Sequence, residues 1–334
     1  MATLVTGGAG YIGSHMVLAL LDAGRDVVVL DNLTTGRREL VPGAARLVVG
    51  DVADSALVLR LCATHRIDAV VHFAGSIVVP ESLADPLGYY LNNTVRTRAL
   101  IESCVLAGVK RFIFSSTAAV YGVPAENPVG EEAPLAPISP YGTSKMMSEL
   151  MLRDVAAAHE FGYVALRYFN VAGADSLGRS GQATPRATHL IKVACEAALG
   201  ARAFVEVFGT DYPTPDGTGI RDYIHVSDLA DAHVLALAHL ERGGGSLVLN
   251  CGYGRGHSVW EVLSAVKRVS GKDFAVRRGP RRAGDPPALV AKSDLIRARL
   301  GWRPRFDDLD TIVEHALEWE SLRQGSRTLA ASDA

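Results

Sequence analysis

Short apolar runs rich in Val, Ile and Phe alternate with amphipathic stretches through the first half of the chain. Thr3 to Thr6, Asp26 to Leu30, Arg46 to Val49, Ala69 to Phe73, Arg111 to Ser115 and Tyr163 to Arg167 predict strands. Their near-continuous apolar character, rather than strict alternation, predicts coverage on both faces, as in a parallel sheet. Between them, Tyr11 to Asp22, Ser55 to His65, Asp85 to Ala107 and Ser144 to Phe161 carry helical spacing. Repeated strand-then-helix order implies right-handed crossovers and a doubly wound α/β sheet. After Asn170 the rhythm changes. Gly173 to Pro185 and Thr210 to Gly219 read as loops, and Leu247 to Asn250 as a strand. Helices are predicted over Thr188 to Leu199, Val226 to Leu240, Val259 to Ser270, Ser293 to Leu300 and Asp308 to Trp319. The pattern predicts a first domain over residues 1–172, with 225–253 returning to it. Residues 173–224 and 254–322 then form a smaller α/β cap on the carboxyl ends of the sheet, where ligands of such sheets bind. The apolar period is lost after Trp319, so 323–334 is expected to be a disordered tail.

Composition narrows the partners. Of 334 residues, 48% are hydrophobic, enough to bury a full core. Lys and Arg number 34 against 36 Asp and Glu, so nucleic acid and anionic membranes are not expected as partners. A bound anion must be held by a few placed charges and backbone N–H groups. Cys62, Cys104, Cys195 and Cys251 lie far apart and read as reduced, mostly buried thiols of a cytoplasmic protein. The first strand begins almost at residue 1, so no signal peptide is expected. No apolar run approaches the roughly 18 to 20 residues that cross a bilayer.

Residues 4 to 13, LVTGGAGYIG, place Gly8, Gly10 and Gly13, preceded by Gly7, between a strand and a helix. Glycines at this spacing let the backbone turn tightly, approach a pyrophosphate and pack helix on strand, with free helix N–H groups facing the anion. In that context the motif predicts a dinucleotide site of Rossmann type. Asp31, 18 residues past Gly13, is placed to accept from the adenosine ribose and to repel a 2′-phosphate, favouring NAD over NADP. Arg37 and Arg38 keep NADP as an alternative, although an exposed loop explains them equally. Asp51 follows the third strand, where a carboxylate meets an adenine amino group; Phe73, Ala74 and Gly75 end the fourth, where small residues admit the cofactor. Tyr11, Ile12, Asn32 and Val52 complete the candidate contacts around the nucleotide.

A second cluster joins Ser115, Ser116 and Thr117 at a strand end to Tyr141 and Lys145. Tyrosine and lysine at i and i+4 project from one helix face. A phenol has a pKa of about 10 and is a poor base at neutral pH. The ammonium one turn away and a positive nicotinamide favour the phenolate; lowering the pKa by about 3 units takes roughly 4 kcal/mol. Thr117 is placed to bond the same substrate hydroxyl. His65, His159 and His233 lie in helical stretches and read as solvated or packed imidazoles, and no cluster has metal-ligand spacing.

TGGAGYIG, SST and YGTSK together resemble the extended short-chain dehydrogenase/reductase superfamily. GYIGSH, VVHFAG, FIFSSTAAVYG, SPYGTSK, RYFNVAGA, DGTGIRDYIHVSDLADAH and RRAGDPP resemble the UDP-glucose 4-epimerases, also called UDP-galactose 4-epimerases, over about residues 3 to 320. The resemblance implies a tightly held NAD, UDP-glucose and UDP-galactose as substrates, and a homodimer built from the helices predicted at Asp85 to Ala107 and Ser144 to Phe161. It implies Tyr141 as general base, Thr117 as its partner and Lys145 on the nicotinamide ribose. It places Asn92 near the cofactor diphosphate, and Tyr168, Phe169 and Asn170 at the junction of cofactor and sugar. Arg221 and Arg282 are implied on the UDP diphosphate and Asp285 on the uridine ribose, with Leu190 and Tyr223 as further substrate contacts. Three positions depart from the family pattern. Ile77 stands where relatives often have a lysine, His189 where an asparagine often meets the sugar nucleotide, and Leu289 at a wall whose size matters for the 2-substituent. The implied chemistry is oxidation at C4′ to a 4-keto sugar, rotation of that sugar, and return of the hydride to its other face. A 4,6-dehydratase on the same fold needs an acid and a base after the Ser/Thr, where this chain has Ala118 and Ala119. Other UDP-sugar 4-epimerases, a UDP-glucuronate decarboxylase and an inactive NAD-sensing protein are the remaining alternatives.

Overall fold

The computed structural model describes residues 2–184 and 187–332, with the side chains of the last helix described as far as Gly325. Six strands enter the central sheet in succession: β1 (Ala2–Thr6), β2 (Asp26–Asp31), β3 (Arg46–Val49), β4 (Ile67–His72), β5 (Arg111–Thr117) and β6 (Gly162–Tyr168). The chain then leaves it for β7 (Asn170–Ala172), β8 (Phe204–Phe208) and β9 (Ile220–His225), and returns as β10 (Leu247–Cys251). The sheet has seven strands in the order β10-β6-β5-β4-β1-β2-β3, all parallel. Its apolar runs feed two cores by the alternation of the pleat. Val5, Val27, Val29, Val71, Ile113 and Leu166 face one; Leu4, Val28, Leu30, Val70, Phe112 and Phe114 face the other.

Helices close both faces. α1 (Tyr11–Asp22) contributes Met16, Val17 and Leu20 to the first core. α2 (Ser55–His65) contributes Val58, Leu61 and Cys62 to the second. The short α3 (Val79–Ala84) and α4 (Pro86–Tyr90) lead into α5 (Arg96–Leu106), which with α6 (Pro140–Ala158) covers the second core through Leu100, Ile101, Cys104 and Leu152. The smaller unit packs α7 (Leu190–Ala198) against residues of β8 and β9. α8 (Val226–Glu241) returns to the first core beside α1, with Leu229, Ala232, Leu237 and Leu240 buried. β11 (Gly256–Ser258) then pairs with β9, and α9 (Val259–Ser270) joins the third core, which is built from α7, β8, α9 and the last helix. β12 (Ala275–Gly279) pairs with β8, β13 (Ala288–Leu289) pairs with β9, and α10 (Asp294–Leu300) and α11 (Leu309–Ser332) follow.

The structure corrects three expectations. The helix predicted from Asp85 to Ala107 is broken: Asp85 caps α4 by accepting from Gly88 N–H, and Leu91–Val95 forms a π-turn before α5. α6 starts at Pro140, not Ser144, because Ser139 caps it and proline suits its first turn, so Tyr141 lies in that turn. The tail expected to be disordered from 323 instead continues α11 to Ser332, anchored by Arg323, which donates to the Gln182 carbonyl (3.1 Å); residues 333–334 lie outside the described residues.

Candidate active site

The glycine turn after β1 is shaped by backbone contacts. Gly7 has φ +71°, and a Cβ there would lie 2.6 Å from Ala74 N and 2.9 Å from its Cα. The FAG end of β4 is thereby pressed against the loop, with Gly7 N–H donating to Leu30 O (2.9 Å). At Gly13 a Cβ would overlap the Gly7 carbonyl oxygen and lie 2.8 Å from Gly7 C and Gly8 Cα. Gly10 caps α1 with no side-chain oxygen, which leaves the first N–H groups of that helix to a ligand. This cradle of backbone N–H groups fits a dinucleotide pyrophosphate.

Asp31 is buried, and its two carboxylate oxygens accept from Ala9 N–H and Leu33 N–H (2.9 and 2.8 Å), fixing the loop at the end of β2. Its neighbour Asn32 accepts from Thr34. Asp51 accepts from Ala53 N–H and faces Arg96 at 3.5 Å. Arg96 donates to Asn92, and Asn92 donates to Ser76 Oγ (2.8 Å). Asn93, next to it in the π-turn, is buried and binds Ser76 through both backbone groups and Ser144 through its hydroxyl. Sequence reasoning singled out Asn92 and missed Asn93; the doubled asparagine in YYLNN was the available signal. Val52 is buried, Ile12 packs against the first core, and Tyr11 donates to Gly173 O (2.6 Å), tying α1 to the loop after β7. The Phe73 ring lies 4.8 Å from the buried imidazole of His233.

At the carboxyl end of β5 the catalytic candidates converge. Thr117 stands beside the Tyr141 phenol and lowers its pKa. Lys145 donates from Nζ to Ser115 O (2.8 Å) and lies 4.9 Å from the Phe114 ring centroid. A Cβ at Gly75 would be 3.6 Å from Lys145 Nζ, so the lysine stands beside the cradle. Tyr168, across from Thr117 in the sheet, shares a short hydrogen bond with Ser115 Oγ. Burial pushes the Lys145 ammonium down to about 8, against the pull of Glu149. Burial raises the phenol of Tyr141, and Thr117 lowers it only in part. Lys145 Nζ is directed to the Ser115 carbonyl.

The sugar-nucleotide candidates lie on β9, β13 and the segments beside them. Leu289 and Phe169 are buried in one apolar cluster with Ala118, Val120, Tyr121, Val129 and Ala291. Leu289 pairs with Arg221 in the sheet, and Arg221 lies 3.7 Å from Asp285. Arg282 stacks 3.7 Å from the centroid of Phe208, a residue the sequence did not single out, and burial lowers its guanidinium. Asn170 pairs with Tyr223, whose phenol burial raises to about 12. His189, at the N-cap of α7 before Leu190, bonds Gln182 Nε2 through Nδ1 (2.7 Å) and is held down at about 4 by burial and then Lys192. Ile77 is 45% exposed. Among the described residues no group of His, Cys, Asp and Glu is arranged to hold a metal ion, and no helix is long and apolar enough to cross a membrane.

Residues 3–252 match the NAD dependent epimerase/dehydratase family. The chain is 62% identical to the UDP-glucose 4-epimerase of Azospirillum brasilense over 96% of its own length and 92% of that protein. Its fold is similar to the UDP-glucose 4-epimerase from Brucella ovis in complex with NAD, with TM-score 0.92 and 47% identity over 95% of this chain and 97% of that one. It is also similar to the UDP-Glc/GlcNAc 4-epimerase of Campylobacter jejuni, with TM-score 0.83 and 49% identity over 96% and 99% of the two chains. The chain belongs to the NAD dependent epimerase/dehydratase family and, within it, to the UDP-glucose 4-epimerases, isomerases that invert C4 of a UDP-hexose with the help of NAD.

Proposed function

We propose that Tyr141 is the general base and acid of the epimerisation, with Thr117 and Lys145 as its partners. The carrying observation is the convergence at one strand end: Thr117 beside the Tyr141 phenol, and Lys145 anchored at Ser115 beside the glycine cradle. Gly7, Gly10 and Gly13 with Asp31, Asp51 and Asn92 would hold the dinucleotide. Bound NAD supplies the hydride-accepting ring and a positive charge beside the phenol. Tyr141 then removes the 4′-hydroxyl proton and later returns it, while Thr117 bonds the same oxygen and orients it. Thr117 opposes the burial that raises the phenol, and the positive ring of bound NAD would add to it, each pKa unit recovered being about 1.4 kcal/mol of preferential stabilisation of the phenolate. Arg221 and Arg282 suit the UDP diphosphate as forked donors, and Asp285 suits the uridine ribose. The test is Tyr141→Phe. It should keep its fold and NAD and lose about 10²-fold or more in turnover of UDP-galactose; retention of most activity rejects the assignment.

The Campylobacter jejuni neighbour, whose description names both UDP-Glc and GlcNAc, favours a second reading in which N-acetylated sugars are also accepted. We assign UDP-glucose and UDP-galactose as the better substrates because the buried Leu289 crowds a 2-acetamido group. A homodimer is supported by the apolar groove of about 410 Å³ between α5 and α6, lined by Ile101, Val105, Leu106, Met151 and Val155. The balanced charge supports no role for nucleic acid, and the four free, buried cysteines support a cytoplasmic setting. The functional division we favour assigns residues 1–172 and 225–253 to the cofactor, and 173–224 and 254–322 to the sugar nucleotide.

A further inference from the structure

Tyr141 and Lys145 are followed on the same face of α6 by a third residue at the same spacing, Glu149. It is buried, yet it is not at the surface of the cofactor cradle or the sugar wall. Its Oε1 accepts a short hydrogen bond from Ser116 Oγ, and its two oxygens accept from Arg167 Nε (3.0 and 3.2 Å) and Nη2 (2.6 Å). Three successive residues at the end of β5 therefore each meet a successive turn of α6, two of them through hydrogen bonds. Thr117 meets Tyr141, Ser115 O receives Lys145, and Ser116 donates to Glu149. Arg167 in turn is fixed by the Tyr121 hydroxyl (3.0 Å) and the Glu131 carbonyl (3.2 Å), and Tyr121 donates to Asn250 (2.7 Å).

We propose that Glu149 is a positioning residue for the epimerisation: through Ser116 it locks β5 in register with α6, so that Thr117 meets Tyr141, and it places a negative charge behind Lys145. The inference rests on the roles assigned above to Tyr141 and Lys145. A buried carboxylate kept only for stability has no need to reach the catalytic strand, because Arg167 alone compensates its charge. Ser116 is the added contact, and it is adjacent to both catalytic contacts.

The groups that face this cluster define its electrostatics. From α6 they are Tyr141 and Lys145, from β6 Arg167 and Tyr163, from β4 His72, and from the segments after β5 Tyr121 and Glu131. Among the described residues, Glu149 is the carboxylate that supports the Lys145 ammonium against burial. Removing its charge lowers the pH at which Lys145 loses its proton, so the alkaline limb of activity moves down.

The experiment compares Ser116→Ala, Glu149→Gln, Glu149→Gln/Arg167→Met and Tyr141→Phe as NAD-loaded proteins, reading kcat, KM for UDP-galactose, the kcat–pH profile and Tm. Ser116→Ala should lower kcat about tenfold at unchanged KM, the effect of misplacing a catalytic pair, with the alkaline limb in place. Glu149→Gln should lower kcat and move that limb down by about one pH unit. The double variant should recover Tm but neither kcat nor the limb. Wild-type kcat and pH profile in Glu149→Gln, or kcat returning with Tm in the double variant, overturns the inference. Should Glu149→Gln fail to fold, wild-type kcat in Ser116→Ala overturns it alone. An active Tyr141→Phe, by contrast, removes the underlying assignment whatever Glu149 does.

Discussion

Gly13 and Gly10 belong to the same loop, yet the structure predicts that an alanine will do different damage at each. At Gly13 the added methyl meets only backbone: the Gly7 carbonyl oxygen, Gly7 C at 2.8 Å and Gly8 Cα at 2.8 Å. Carbon atoms rest about 3.5 Å apart or more, so the loop and α1 must separate by about 0.7 Å or more. No side chain is available to rotate out of the way. Forced overpacking of this kind costs about 1 to 3 kcal/mol, or about 1.5 °C of Tm for each kcal/mol in a chain of this length. At Gly10 the backbone is extended at φ −82°, and the nearest heavy atom to an added Cβ is Gly7 O at 3.2 Å. The fold should tolerate that methyl within about 1 kcal/mol, but it would stand where a pyrophosphate approaches the helix N-terminus. The assay is Tm by thermal scanning, together with the NAD recovered from the denatured supernatant of freshly purified protein. Gly13→Ala should lose both stability and NAD, and Gly10→Ala mainly NAD. Wild-type Tm and full NAD in Gly13→Ala would refute the steric reasoning, and full NAD in Gly10→Ala would refute the placement of the diphosphate.

Two further outcomes follow from the burial of single side chains. With Leu289 packed against Phe169 and unable to withdraw, kcat/KM for UDP-GlcNAc should be about 10- to 100-fold below that for UDP-glucose, and Leu289→Ala should narrow the gap. Equal efficiencies in the wild type would show that Leu289 does not limit the pocket. Burial holds His15 and His233 at about 4 and His72 and His225 at about 3, below the ordinary value of 6.5. A lowered folded pKa means that the unfolded chain binds more protons between those limits. Stability is therefore full above pH 6.5 and falls below it, by about 1 kcal/mol per pH unit for each histidine. A urea midpoint that stays constant from pH 7.5 to 5 would contradict this.

The parallel sheet was legible because most of its strands are short runs of Val, Ile, Leu or Phe buried on both faces. β12 and β13 were not, since AVRRG is mostly exposed and β13 has only two residues. The π-turn at Leu91–Val95 left no periodic trace, because a shifted hydrogen-bond register preserves the composition of a helix. Asp85 followed by Pro86 did mark the start of α4, as a cap and a first-turn proline. The end of α11 was hidden for a different reason. It is held by polar contacts, Arg323 to Gln182 O and Glu320 to Lys192, which an apolar period does not register. In the site, tyrosine and lysine at i and i+4 were readable from spacing, whereas Glu149 one turn further reads as an ordinary solvated helix residue. Only the packing of β6 on β5, which brings Arg167 to it, marks it as buried.

The proposed roles divide the site into a rigid and a permissive part, and the side chains differ accordingly. Charged donors, Arg221 and Arg282, gather with Asp285 on the segments around β9 and β13, where each guanidinium is held by a neighbour, Asp285 or the Phe208 ring. Two of the proposed sugar contacts, Phe169 and Leu289, lie instead in an apolar cluster with Ala118, Val120 and Val129. An epimerase must present both faces of one keto sugar to the same hydride position. Polar groups that gripped the ring would favour one face and raise the barrier to turning over, whereas interactions confined to the nucleotide hold both orientations equally. On the proposed roles, the apolar cluster would leave the sugar free to turn while the two arginines hold the nucleotide.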